Sequence, residues 1–219
     1  MGSMRQTLPG WDALLVVVAH PDDETFGLGG VVARFTERGA DVKILCFTHG
    51  EASTLGEGEL RRVRSRELRR AAADLGANTV ELLDLPDGHL ADRPLEDLAE
   101  LVEVRLDHVD GVLVFGPGGV TGHPDHIQAT GAAVLAAEQH HTPVLGWVIP
   151  ERVAKILNGE LGTTFRGVTR PDLAIRVDRE RHVRACRLHA SQLNPVLWRR
   201  LELLGDEEWL VWMRTPEQT

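Results

Sequence analysis

The chain has 219 residues, 42% of them hydrophobic, a length and apolar content that suit one α/β domain with a sizeable core. Its formal charge is −9, from 24 basic against 33 acidic residues. A nucleic-acid footprint needs a basic face. The one basic cluster, Arg61-Arg62-Val63-Arg64-Ser65-Arg66, is set among acids and helix formers, so no nucleic acid is expected as a partner and a small neutral or weakly charged molecule fits better.

Met1-Gly2-Ser3 ahead of Met4 reads as a cloning scar, leaving 4–219 as a single domain. Residues 14–19 are continuous, apolar and Val-rich, the pattern of a buried parallel strand. Residues 24–38 follow as a helix ending at Gly39, and 41–48 as a second strand. Gly50 to Gly58 is a Gly-rich loop long enough to act as a lid. Residues 59–75 form a strongly helical segment with Gly76 as its C-cap. A short strand at 79–83 runs into the turn Pro86-Asp87-Gly88. A helix is expected over 94–108 and a buried strand over 111–115; a helix over 124–139 and a strand over 144–149 follow. Residues 150–172 give no clear pattern beyond a short helix and an irregular excursion. A strand at 173–177 precedes a helix over 178–190 that Asp178 could cap. The tail, 196–213, carries Trp198, Trp209 and Trp212 and should pack on the domain. Strands alternating with helices imply a mainly parallel sheet covered on both faces.

Cys46 and Cys186 lie in apolar or helical patterns and read as reduced core residues. No signal peptide and no apolar run long enough to span a bilayer is visible, so a cytoplasmic protein without membrane association is expected.

The chemistry concentrates in a pattern that occurs twice. His20-Pro21-Asp22-Asp23 follows the first buried strand, and His123-Pro124-Asp125-His126 follows the strand at 111–115 and a Gly-rich turn. Both copies stand where open α/β sheets place ligands. Proline suits a first helical position, and the acids then meet the positive end of the helix dipole. Asp22 and Asp23 are adjacent, so on a helix they point about 100° apart and serve different ends: one can bind a metal beside His20 while the other stays free as a base. His126 is three residues after His123, so both can face one site. A His/Asp/His set with one open position is a reasonable catalytic zinc site, and zinc brings its bound water to a pKa of roughly 7. A single His-Pro-Asp could be no more than a helix start. Two copies after two buried strands, each with a further ligand-type residue, argue for a metal-dependent hydrolase.

Ala19-His20-Pro21-Asp22-Asp23-Glu24 with the downstream His123-Pro124-Asp125-His126 resembles the PIG-L/LmbE-like zinc-dependent N-acetylglucosaminyl deacetylases. The resemblance extends to Gly29-Gly30, Thr48-His49-Gly50-Glu51, Arg64 with Glu67, Leu85-Pro86-Asp87-Gly88 and His189-Ala190-Ser191-Gln192. It implies a Rossmann-like fold and removal of an acetyl or other acyl group from an N-acylated amino sugar or related glycoside. It implies one zinc per chain, with iron(II) as the alternative, held by His20, Asp23 and His126. Asp22 would be the general base on the zinc-bound water, and His123 would act on the oxyanion or leaving group, held by Asp125. Arg64 and Asp87 match positions that contact sugar hydroxyls. Some members place a tyrosine two residues before the second motif; here that position is Thr121, and the chain has no tyrosine. An amidase for a bulkier acyl, thiol-conjugate or natural-product substrate uses the same residues, whereas a sugar-binding protein without turnover would not need them all. The apolar tail leaves a homo-oligomer open.

Plainer readings apply elsewhere. Gly27, Gly29 and Gly30 lack the dinucleotide spacing and fit close helix–sheet packing. Arg64 by spacing alone belongs to a solvated helix face, and Asp87 to a turn. His49 and Glu51 follow a strand end and could line a pocket. His89, His140 and His141 read as surface residues. His189 suits a helix C-terminus as well as a site.

Overall fold

Among the residues that the computed structural model describes, 7–56 and 59–216, the chain lays down β1 (Ala13–Val18), α1 (Asp23–Phe26), α2 (Gly29–Thr36), β2 (Asp41–Thr48), α3 (Leu60–Asp74) and β3 (Thr79–Leu85). Then come α4 (Leu95–Glu103), β4 (Gly111–Phe115), α5 (Pro124–Gln139), β5 (Val144–Pro150) and α6 (Glu151–Leu161). The chain finishes with β6 (Gly167–Val168), β7 (Leu173–Arg176), α7 (Arg179–Cys186), α8 (Pro195–Leu204) and β8 (Glu207–Arg214). The sheet order is β3-β2-β1-β4-β5-β8-β7, with β6 alongside β5. All pairings are parallel except those of β8, which runs antiparallel to β5 and β7. The expected α/β architecture, a mainly parallel sheet with helices on both faces, is the one observed. The residues read as a cloning scar lie outside the described residues, as does the end of the expected lid loop.

β1 shows why its sequence is apolar throughout. Leu14, Val16 and Val18 pack with α2 and α3, while Leu15 and Val17 pack with α4 and α5 on the opposite face. Both faces of a period-two strand are covered, so no position is left for a polar residue. Each buried Val or Leu contributes about 1.5–3 kcal/mol.

Several expectations are corrected. The helix expected over 24–38 is two helices, broken at Gly27-Leu28. A Cβ at Gly27 would lie 2.2 Å from the Phe115 ring, so the break brings the backbone against β4 where no side chain fits. The helix expected to reach His108 stops at Glu103, and the chain turns beyond it, with His108 at a φ of 57°. Residues 150–172, unread from sequence, form α6 and the short β6. The tail forms a helix and an interior antiparallel strand, with Trp212 edge-on to Trp11 at 6.0 Å. Asp178 caps α7 as expected, accepting the Arg181 N–H at 3.1 Å.

α7 also carries a fully buried imidazole. His182 Nε2–H donates to the Thr25 carbonyl at 2.6 Å, and its Nδ1 accepts from Arg179 Nη1 at 2.7 Å. Burial, with Arg179 adding to it, pushes His182 down to about 3. An unfolded histidine titrates near 6.5, so between those values the unfolded chain binds the extra proton. Stability from this group is therefore complete above about pH 6.5 and is lost as pH falls toward 3, with a limiting slope of about 1.4 kcal/mol per pH unit. Urea unfolding across that window should show the slope, and His182→Gln should flatten it; an unchanged slope in the variant would refute the assignment.

Candidate functional site

β1 and β4 are parallel neighbours whose onward connections leave in opposite directions along the sheet, β1 toward β2 and β4 toward β5. A crevice opens outside the carboxyl ends of such a pair. His20 follows β1 there and His123 follows β4 there. A cavity of about 460 Å³ is lined by both, by Asp22, Asp23, Arg64, Asp87 and His126, and by an aromatic wall of Phe26, Phe115, Trp147 and Phe165.

The tautomers of two histidines can be read from their neighbours. His20 Nε2 faces two carboxylates, Asp87 Oδ1 at 2.9 Å and Asp125 Oδ2 at 3.2 Å, so Nε2 carries the proton. His126 Nδ1 faces the Gly119 carbonyl at 3.3 Å and the Thr121 hydroxyl at 2.9 Å, so Nδ1 donates. The remaining nitrogens, His20 Nδ1 and His126 Nε2, face each other at 3.2 Å. The Asp23 carboxylate completes the set, 3.2 Å from His126 Nε2 and 3.6 Å from His20 Nδ1. Donor atoms this close need a cation between them, a proton or a metal ion. Donors about 2.0–2.1 Å from a tetrahedral ion stand about 3.3–3.4 Å apart, so the three separations match a zinc-type triad. Three carboxylates around His20 outweigh burial and hold its imidazole well above the ordinary value, and His126 and His20 hold Asp23 well below its own against the effect of burial. Both shifts mark a pocket that attracts positive charge.

Two other groupings are close enough to consider, His20 with His123 and His126, and His20 with Asp87 and Asp125. In the first, His123 Nδ1 is occupied by the Asp125 N–H at 3.1 Å. In the second, backbone N–H groups already hold the carboxylates: Gly88 and Leu90 donate to Asp125 and Ala52 to Asp87. In the His20/Asp23/His126 triad the His20 backbone N–H meets Asp23 Oδ2 at 2.9 Å, and Asp23 Oδ1 stays open toward His126.

Asp22 departs from the helix geometry read from sequence. It precedes α1 with φ 118°, a left-handed conformation that costs a non-glycine residue about 1–3 kcal/mol. Pro21 accordingly stands outside the helix, whereas Pro124 does open α5. Glu24 holds the strained backbone, its Oε2 accepting the Asp22 N–H at 2.9 Å. Glu24 is in turn paired with His189 at 2.6 Å, and both are fully buried. Glu24 overcomes the effect of burial and keeps the His189 imidazole above its ordinary value. Burial lifts the Asp22 carboxyl to about 6, with Arg64 opposing the rise.

Arg64 is buried, not on a solvated face. It donates to the Gly50 and Pro21 carbonyls at 2.6 and 2.5 Å and lies 3.2 Å from Asp22 Oδ1. Gly50, with φ 66°, is glycine for this reason, since a Cβ there would lie 2.3 Å from the guanidinium. Asp87, expected to face sugar hydroxyls, is committed to His20 and the Ala52 N–H at 2.8 Å. Asp125, expected to hold His123, turns its carboxylate to His20 because the Gly88 and Leu90 N–H groups fix it there, and only its backbone N–H engages His123. Burial and the neighbouring His20 and His126 hold His123 below its ordinary value, so it is neutral at pH 7. With Nδ1 accepting, His123 offers Nε2–H as a donor. Thr121, at the tyrosine position, orients His126. His49 instead bonds Ser65 at 2.7 Å and does not line this cavity; Glu51 accepts the Asp87 N–H. His89 and His140 are surface residues paired with Asp92 and Glu103. Sequence reasoning missed Glu24 as a partner of His189, and Trp147, Phe165 and Arg200 as cavity wall. The HPDDE run offered a signal for Glu24, an acid beyond the two already given a role.

Residues 15–138 match the family model described as PIG-L, GlcNAc-PI de-N-acetylase. The chain is 31% identical over 195 residues to the 1D-myo-inositol 2-acetamido-2-deoxy-alpha-D-glucopyranoside deacetylase of Mycobacterium sp. (strain KMS), a match over 75% of this chain and 62% of that relative's length. Its fold is similar to that of an N,N'-diacetylchitobiose deacetylase from Pyrococcus horikoshii, with a TM-score of 0.67, 22% identity and coverage of 94% of this chain and 85% of the other. It is equally similar to that of a 4-carboxy-2-hydroxymuconate hydratase from Pseudomonas putida KT2440, with a TM-score of 0.67, 20% identity and coverage of 95% and 98%. One fold thus serves a deacetylase and a hydratase, so the choice between chemistries rests on the site.

Proposed function

The chain belongs to the PIG-L family, and from that premise we propose that residues 4–219 form one domain acting as a zinc-dependent N-deacetylase on an N-acylated amino sugar or related glycoside. The carrying observation is the convergence of three metal-donor atoms, His20 Nδ1, His126 Nε2 and an Asp23 oxygen, beside an Asp22 carboxyl lifted to about 6. His20, Asp23 and His126 would hold the ion, with Asp87 and Asp125 orienting His20 and Thr121 orienting His126. A divalent ion there supplies Lewis-acid polarisation of water and of the amide carbonyl. Asp22 takes the proton from the attacking water as a carbon–oxygen bond forms. A base near the working pH passes the same proton on readily, so Asp22 then delivers it to the departing nitrogen as the amide C–N bond breaks. The products are acetate and a free amino sugar. His123 Nε2–H donates to the developing oxyanion, the arrangement in which a preorganised neutral donor lowers the barrier. Arg64 fixes the orientation of Asp22. The aromatic wall favours a substrate with an apolar or bulky part over a bare sugar.

Among the described residues no helix is long and apolar enough to cross a membrane. The test is elemental analysis of the purified protein, paired with acetate release from N-acetylglucosamine before and after chelation. About one zinc per chain and chelator-sensitive release are expected. Metal without release would redirect the reading to a larger acyl group or aglycone, and absence of metal affinity would overturn it.

A further inference from the structure

The cavity wall holds a cation that the proposed reaction does not use. Arg200, on α8, is 7% exposed and lines the same cavity as His20 and Asp22. A guanidinium carries five N–H donors, yet Arg200 has one hydrogen bond, from Nη2 to the Phe26 carbonyl at 2.5 Å. Its Nε is buried with no partner. No carboxylate lies within ion-pair distance among the described residues. Of the carboxylates that act on it at longer range, Glu208 is taken, with Arg179 Nη1 2.5 Å from Oε1 and Trp147 Nε1 donating to Oε2 at 2.7 Å, and Asp22 faces Arg64 at 3.2 Å. The guanidinium sits 5.3 Å from the Trp147 ring centroid and 5.9 Å from that of Phe165. Those faces hold a planar cation in place without neutralising it.

A buried charge without a counter-ion is costly, and an anionic group on a ligand would offset that cost. Arg200 is also the group least able to escape by losing its proton, although burial pulls it below its ordinary value. The donors left over are those of a planar fork that suits a carboxylate or a phosphate. We propose that Arg200 is an anion anchor in the substrate pocket, so that the natural substrate carries a carboxylate or phosphate besides its N-acyl group. This rests on the deacetylase reading and deepens it, replacing the neutral or weakly charged substrate suggested by the chain's overall negative charge with one that meets a local, desolvated cation.

The experiment compares N-acetylglucosamine with its 6-phosphate, its uronic acid and N-acetylmuramic acid, using the zinc-loaded protein and its Arg200→Met and Arg200→Lys variants. The native protein should favour at least one charged sugar in kcat/KM. Arg200→Met should cut that preference about ten- to a hundredfold, the range for a hydrogen-bonded charge, mainly through KM, and Arg200→Lys should restore part of it. Phosphate and carboxylate arms identify the anion. Calorimetric binding of the same sugars gives a second readout. If no sugar is deacetylated but a charged one binds in an Arg200-dependent way, the anchor stands and the deacetylase reading fails. Equal handling of charged and neutral sugars by the native protein, or a preference that survives Arg200→Met, overturns the anchor.

Discussion

Asp22→Asn should lower kcat by about two to four orders of magnitude, the usual contribution of a positioned base, while the protein keeps its metal. Asparagine keeps the size of the side chain and the N–H that Glu24 holds at 2.9 Å, so the local backbone has no new reason to move. What is lost is the group that takes the proton. The pH profile follows with a definite sign. The base works deprotonated, and burial places its pKa at about 6. A bound cation lowers that value further. Native kcat/KM should therefore be flat above about pH 6 and fall on the acid side, and the residual rate of the variant should lack that limb. Full activity in Asp22→Asn, measured as acetate release at matched metal content, would show that another group is the base.

His126→Ala should remove metal and activity together. The variant deletes one of three donors and also the N–H that meets the Thr121 hydroxyl and the Gly119 carbonyl. With zinc about a hundredfold above its dissociation constant, binding stabilises a native protein by about 2.7 kcal/mol. Added zinc should thus raise the melting temperature of the native protein and not that of the variant. The contrast with Asp22→Asn is the informative part: one variant is inactive and loaded, the other inactive and empty. A His126→Ala protein with one zinc per chain and chelator-sensitive turnover would overturn the triad.

Much of the site was legible because it follows the chain. A run of apolar residues reports a strand covered on both faces, and a His-Pro-Asp directly after it places donors at the sheet's carboxyl edge. That reasoning located His20, Asp22, Asp23, His123 and His126 in one cavity. It failed where the partner lies elsewhere in sequence. Asp125 was matched to His123, two positions away, but the Gly88 and Leu90 N–H groups turn its carboxylate to His20. Arg64 sits in a run of arginines that resembles a solvated helix face, and only the approach of Gly50 and Pro21 buries it. β8 went unread because an antiparallel insertion between β5 and β7 is decided by pairing across more than thirty residues of chain.

The sequence by itself determined the fold class, the two motifs and the kinds of atom available to a metal, since residue type and local spacing carry that information. The tertiary structure alone decided which groups the ring nitrogens of His20 and His126 face, the strained backbone of Asp22 and the lack, among the described residues, of a counter-ion at Arg200. Each depends on which groups from distant segments are packed against a side chain, and in a desolvated pocket those neighbours set its proton, its charge and its free lone pairs.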